Sequence, residues 1–133
     1  MKKFPIVVAS LSVAVLGLSL SGCARKVTAA TLAAEVNKQM TFPKDLGDGI
    51  RLDSVAASGN DVVSTVTMTE VDAGASNPKL AQVLADASKT DTCREIAPAR
   101  QEYVSANIRM VKVFNDKSGA EVVRVVVDPR ECT

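Results

Sequence analysis

Residues 108–129 read IRMVKVFNDKSGAEVVRVVVDP, and this stretch decides the fold class. Two runs of β-forming residues, 108–114 and 121–127, flank Asn-Asp-Lys-Ser-Gly at 115–119. Gly119 can supply the positive φ of a bulged turn, so the stretch reads as an antiparallel hairpin. Positions 122–127 are nearly continuous valine, which predicts a strand covered on both faces or central in its sheet. Asp128-Pro129 ends it, because proline cannot extend a ladder.

Working outward, the same alternation recurs earlier. Ile50 and Leu52 alternate with Arg51 and Asp53, a half-buried strand running to about Ala56. A turn cluster at 58–61 leads into 62–71, where Val66 and Met68 alternate with Thr65, Thr67 and Thr69. The expectation is a second, antiparallel strand with its threonines on an exposed face. Leu32, Val36 and Met40 recur at helical spacing beside Ala29 and Ala33, with Thr28 or Thr31 as the cap and Phe42-Pro43 as the stop. A second helix starts at Asn77-Pro78 with Leu80, Val83, Leu84 and Ala87 as its apolar stripe. A further helical stretch begins near Asp91, carries Cys93 and Ile96, and is broken at Pro98. Residues 44–49 read as a loop. Strand pairs separated by helices predict an α+β domain over 28–133: an antiparallel sheet of four to five strands, three to four helices mainly on one face, and one disulfide.

The first 22 residues stand apart. Lys2 and Lys3 precede an uncharged apolar run of about 17 residues, short of the roughly 20 that cross a bilayer. This is the pattern of a signal peptide, and it is excluded from the fold. Leu20-Ser21-Gly22-Cys23 resembles the lipobox of bacterial lipoproteins. The resemblance implies cleavage after Gly22 and acylation of Cys23, with 23–27 as a lipidated tether. Each buried acyl CH₂ adds about 0.8 kcal/mol, so several chains hold a protein on a bilayer. Ala24 and Arg25 follow the cysteine without an aspartate, so the expected location is the outer membrane, facing the periplasm.

Removing residues 1–22 from 133 leaves 111, enough for one small domain. Losing Lys2 and Lys3 from 16 basic side chains leaves 14 against 15 acidic ones. No basic patch calls for nucleic acid. Histidine and tryptophan are absent, which removes the commonest general base and the commonest metal ligand. With Cys23 assigned to lipid, Cys93 and Cys132 remain. In an oxidising compartment two such cysteines most often pair, closing a loop of about 40 residues worth about 4 kcal/mol. Two free thiols or a metal pair are the alternatives, and no C-x-x-C spacing supports them. No catalytic constellation, cofactor motif or metal-ligand cluster is found. Asp45 with Asp48 is too sparse for calcium, Glu70 with Asp72 reads as a solvated strand end, and Tyr103 as a rim packing residue.

Three features carry a resemblance across about 100 residues. Asn37 and Pro43 lead into Leu52-x-x-Val55; Cys93 sits mid-chain on a helix; and a final hairpin with FNDKSG at 114–119 is followed by valines and Cys132. In these the chain resembles the beta-type pilotins of type II secretion, typified by the Vibrio pilotin, although it carries Val and Thr where tyrosines are usual. The resemblance implies a non-enzymatic module whose groove accepts an amphipathic helix, the C-terminal segment of an outer-membrane secretin. The partners expected are thus a bilayer, through Cys23, and an envelope protein. The competing functions are an inhibitor of a periplasmic or incoming enzyme, projecting the 44–49 loop, and a carrier of lipid or another small ligand, which needs a cavity lined by large apolar residues.

Overall fold

A computed structural model describes residues 26–73 and 76–133. In chain order the elements are α1 (Ala29–Gln39), β1 (Lys44–Gly47), β2 (Ile50–Ser58), β3 (Asp61–Met68), α2 (Pro78–Ile96), a 3-10 turn (Ala97–Ala99), α3 (Arg100–Ser105), β4 (Arg109–Asn115), β5 (Glu121–Val127) and a last 3-10 turn (Pro129–Glu131). The five strands form one sheet in sequential order.

The class is α+β as expected, but the sheet is mixed. β3 and β4 run parallel, Asp61 opposite Arg109 through Thr67 opposite Asn115. The reason lies in the connection: a parallel neighbour requires a crossover of a dozen or more residues, and the helical segment between β3 and β4 is one. The other three pairings are antiparallel. Two helices carry the packing rather than three to four. What read as separate helices before and after Asp91 is the single α2, which the 3-10 turn and the six-residue α3 merely extend past Pro98.

Helix α1 begins where Thr28 and Thr31 cap each other. The Thr28 hydroxyl accepts from the Thr31 N–H at 3.1 Å, and the Thr31 hydroxyl accepts from the Thr28 N–H at 2.9 Å. Such a box contributes about 1 kcal/mol. The helix buries Ala29, Leu32, Ala33 and Val36 against the sheet. Asn37 fastens it: its side-chain N–H₂ donates to the Val55 carbonyl of β2 at 2.8 Å and to Ala33 O at 2.7 Å. Met40 leaves the helix in an extended conformation, and the Phe42-Pro43 peptide bond is cis.

Helix α2 starts with Asn77 accepting from the Leu80 N–H at 3.1 Å and Pro78 in the first turn. Its buried face is Leu84, Ser88, Thr92 and Ile96, so the stripe is rotated from the expected one and Val83 is exposed. That line runs in three i+4 steps from Leu84 to Ile96, and its polar Ser88 and Thr92 give it no hydrophobic signal.

Other local expectations need correction. Segment 44–49 is an edge strand, β1, with a tight turn at Gly47, Asp48 and Gly49, all at positive φ. β5 is the opposite edge, not a central strand. Its Val125 and Val127 face the helices while Val126 is exposed. The threonine row is not a free face: Thr67 is buried and donates to Asp53, Thr65 is half-buried, and only Thr69 is exposed. Tyr103 belongs to the core rather than the rim.

Candidate functional site

Both long helices lie on one face of the sheet, α1 over β2 and β3 and α2 over β5. Between them the packing leaves a narrow cavity of about 20 Å³. Leu32 and Val36 of α1 form one wall and Ile96 of α2 the other, with Val55 and Val62 on the sheet below. The volume suits about one water-sized group. It is too small for an acyl chain, so it does not serve the lipid-carrier reading.

What distinguishes this cavity is its polar floor. In β4, Met110, Lys112 and Phe114 alternate onto the helix-covered face while Val111 and Val113 take the other. Lys112 is therefore carried into the core, 1% exposed, and its Nζ has no hydrogen-bond partner among the described residues. Burial lowers its pKa from the ordinary lysine value, and attraction to Glu95 and Asp91 opposes that shift only in part. Across the cavity Glu95 is pushed the opposite way: burial raises its carboxyl, Lys112 pulls it down and Asp91 adds to the rise. Glu95 Oε1 and Thr92 Oγ1 also lack partners among the described residues, as does Ser88 Oγ one turn earlier on α2.

Buried polar atoms without partners are rare because each costs roughly 1–3 kcal/mol. Here three of them, on Lys112, Glu95 and Thr92, border one cavity. Chemically the set can donate through Lys112, accept through Glu95 and do either through the Thr92 hydroxyl. That is a receptor for one small polar group inside apolar walls. No sequence motif marks it. The available signal was a lysine placed between Val111 and Val113 on a strand whose two faces are otherwise apolar.

The expected site residues fall as follows. Cys93 and Cys132 are joined, with an S–S distance of 2.06 Å and a Cα–Cα distance of 5.3 Å. The bond pins α2 at the residue after Thr92 to the end of β5's exit segment, so it braces the wall of the cavity. Arg100 reinforces that junction by donating through Nε to Pro129 O at 2.8 Å. Cys23 lies outside the described residues. Asp45 accepts from the Gly47 N–H at 2.8 Å within its own turn, and Asp72 pairs with Lys117 at 3.2 Å, so neither acidic doublet forms a shared site. Among the described residues no group of three or more His, Cys, Asp or Glu side chains converges as a metal site would require. No helix among the described residues is long and apolar enough to cross a membrane.

No family model matches the sequence, and no curated protein does. Solved structures do match in fold. The chain is similar to EpsS, the pilotin of the Vibrio vulnificus type 2 secretion system, with a TM-score of 0.60 at 17% identity over 79% of this chain and 88% of that one. It is also similar to AspS, the type II secretion system pilotin of Vibrio cholerae, with a TM-score of 0.51 at 13% identity over 95% and 99% of the two chains. A Pseudomonas aeruginosa protein described as secreted aligns with a TM-score of 0.59 at 12% identity, covering 79% of this chain and 93% of its own. The chain thus shares the fold of two type II secretion pilotins.

Proposed function

We propose that this chain is a lipid-anchored, non-enzymatic binding module of the cell envelope that acts as a pilotin-like chaperone for an outer-membrane secretin. In this reading Cys23 carries the acyl groups, the domain faces the periplasm from the outer membrane, and the partner docks an amphipathic helix along the line between α1 and α2. One side chain of that helix enters the cavity. The single observation that carries the site assignment is the buried polar set of Lys112, Glu95 and Thr92, which has hydrogen-bonding capacity that no described residue uses. A helix offering the tip of a hydroxyl side chain there gains charge-assisted hydrogen bonds, each worth about 1.5–3 kcal/mol. The pilotin fold supports the choice of partner.

The test is a titration of the mature protein with a synthetic C-terminal peptide of a secretin from the same cell, read by fluorescence anisotropy. Saturable binding is expected, weakened at least tenfold by Ser64→Met, which extends a side chain into the cavity from its floor. Circular dichroism should confirm that the variant keeps its fold. Absence of saturable binding refutes the secretin partner. Binding that ignores the filled cavity refutes the site.

A further inference from the structure

We infer that the end of the domain built from turn 58–60, segment 107–109 and the Pro129–Glu131 turn rests against phospholipid headgroups. This relies on the acylation of Cys23 proposed above. Reach limits how far the domain can stand from the bilayer. Three residue steps separate Cys23 from Lys26, and a chain extends at most about 3.3–3.6 Å per residue, so Lys26 stays within roughly 11 Å of the acylated cysteine. The headgroup layer is itself about 5–7 Å deep. Lys26 borders the same recess as Gly59, Asn60 and Ser105. Gly59 and Asn60 in turn border Asn107, Arg109 and Arg130, and the Arg109 N–H donates to Asn60 O at 3.1 Å. All of this is one end of the sheet. β3 leads away from it for eight residues, about 23 Å, to the end where Lys117 is exposed.

The chemistry of the near end suits an aqueous headgroup surface and not the hydrocarbon. Arg109 forks onto Asp61 at 2.8 and 2.9 Å, and Arg130 bonds Asp128 at 3.1 Å and Asn107 at 3.0 Å. Of the exposed large apolar side chains among the described residues, Val83 lies on α2, and Val126 lies on the outer face of β5, level with Val63 and Val111. Because each arginine there has its own carboxylate, the short tether and not net charge sets the orientation. Contact is therefore expected to persist in high salt. α1 begins at this end and climbs about 16 Å from it, and the cavity beside it lies one to three residues above the end, over Val62, Ser64, Met110 and Lys112.

The test places the acylated protein in phosphatidylethanolamine–phosphatidylglycerol vesicles containing a headgroup-attached quencher. A fluorophore is introduced at exposed Ser58 in one sample and at exposed Lys117 in another. The Ser58 probe should be quenched at least threefold more strongly, equally in low and high salt, and a twenty-residue Gly/Ser insertion after Arg25 should erase the difference. Equal or inverted quenching with acylation confirmed by mass overturns the orientation alone. A mature chain without acyl mass overturns the anchor as well.

Discussion

Replacing Cys93 and Cys132 together by alanine removes the one covalent link between α2 and the chain beyond β5. The bond spans 39 residues in sequence. For a loop of that size the chain-entropy relation gives about 13 cal/mol/K, or about 4 kcal/mol at 25 °C, lost from the unfolded ensemble's restraint. A domain of roughly 100 residues unfolds with about 0.2 kcal/mol/K, so 1 kcal/mol moves the Tm by about 4–5 °C. The expected drop is therefore about 16–20 °C, read as a thermal melt by far-ultraviolet circular dichroism. The native signal before the transition should be unchanged, because Arg100 still holds the Pro129 carbonyl and β5 still pairs with β4. The urea m-value should rise, since the freed unfolded chain exposes more surface. A Tm loss below about 5 °C with a constant m-value would refute the account, for it would show that the loop constraint contributes little. A loss of native ellipticity before melting would refute it differently, by showing that the bond shapes the native packing.

Two further outcomes follow from the same geometry. Glu95 has its folded-state pKa raised by burial, so between the unfolded value near 4.5 and the folded value the native state holds a proton that the unfolded state has lost. That contribution is full below the unfolded pKa and is lost as pH rises through the folded one; relative to Glu95→Gln, the wild type should be more stable at pH 4 than at pH 7, with Lys112, Asp91 and its ion-pair partner Arg94 left in place. Melts of both proteins from pH 4 to 7 check this, and a parallel pair of curves would contradict it. Asp116, 1% exposed, accepts from the Ser118 N–H at 2.9 Å, the Ser118 hydroxyl at 2.6 Å and the Ala120 N–H at 3.1 Å. Asp116→Ala should cost about 2–3 kcal/mol by urea unfolding, and Asp116→Asn, which keeps the accepting oxygen, distinctly less.

The elements that local chemistry specifies were legible in the sequence. The β2–β3 and β4–β5 hairpins, the Thr28 cap and the Asn77-Pro78 start each depend on a few neighbouring residues, and each is found where the pattern places it. Legibility ends where a residue's fate depends on a distant partner. The parallel seam between β3 and β4 leaves no periodic trace. β5 reads as a strand partly covered on both faces or central in its sheet, because a valine run does not record which of its faces meets a helix. Thr67 looks solvated until Asp53 is seen to accept from it across the β2–β3 pair. The candidate site is hidden for the same reason: Lys112, Thr92 and Glu95 are ordinary residues until the crossover lays α2 over β5 and brings Thr92 and Glu95 to the cavity that Lys112 lines.

That seam has a kinetic consequence. The two hairpins close over short loops, whereas Asp61 meets Arg109 only after 48 intervening steps have been gathered in. Contacts of such separation form late, because loop entropy is lost before the pairing returns anything. Until then β3, a central strand in the finished sheet, is an unguarded edge. Its Val62-Val63-Ser64-Thr65-Val66-Thr67-Met68 run has no charge and no proline, the composition that pairs most readily with a copy of itself. The interval before β4 docks is therefore the dangerous one for this chain, and the rate at which the seam closes sets how much of it escapes self-association.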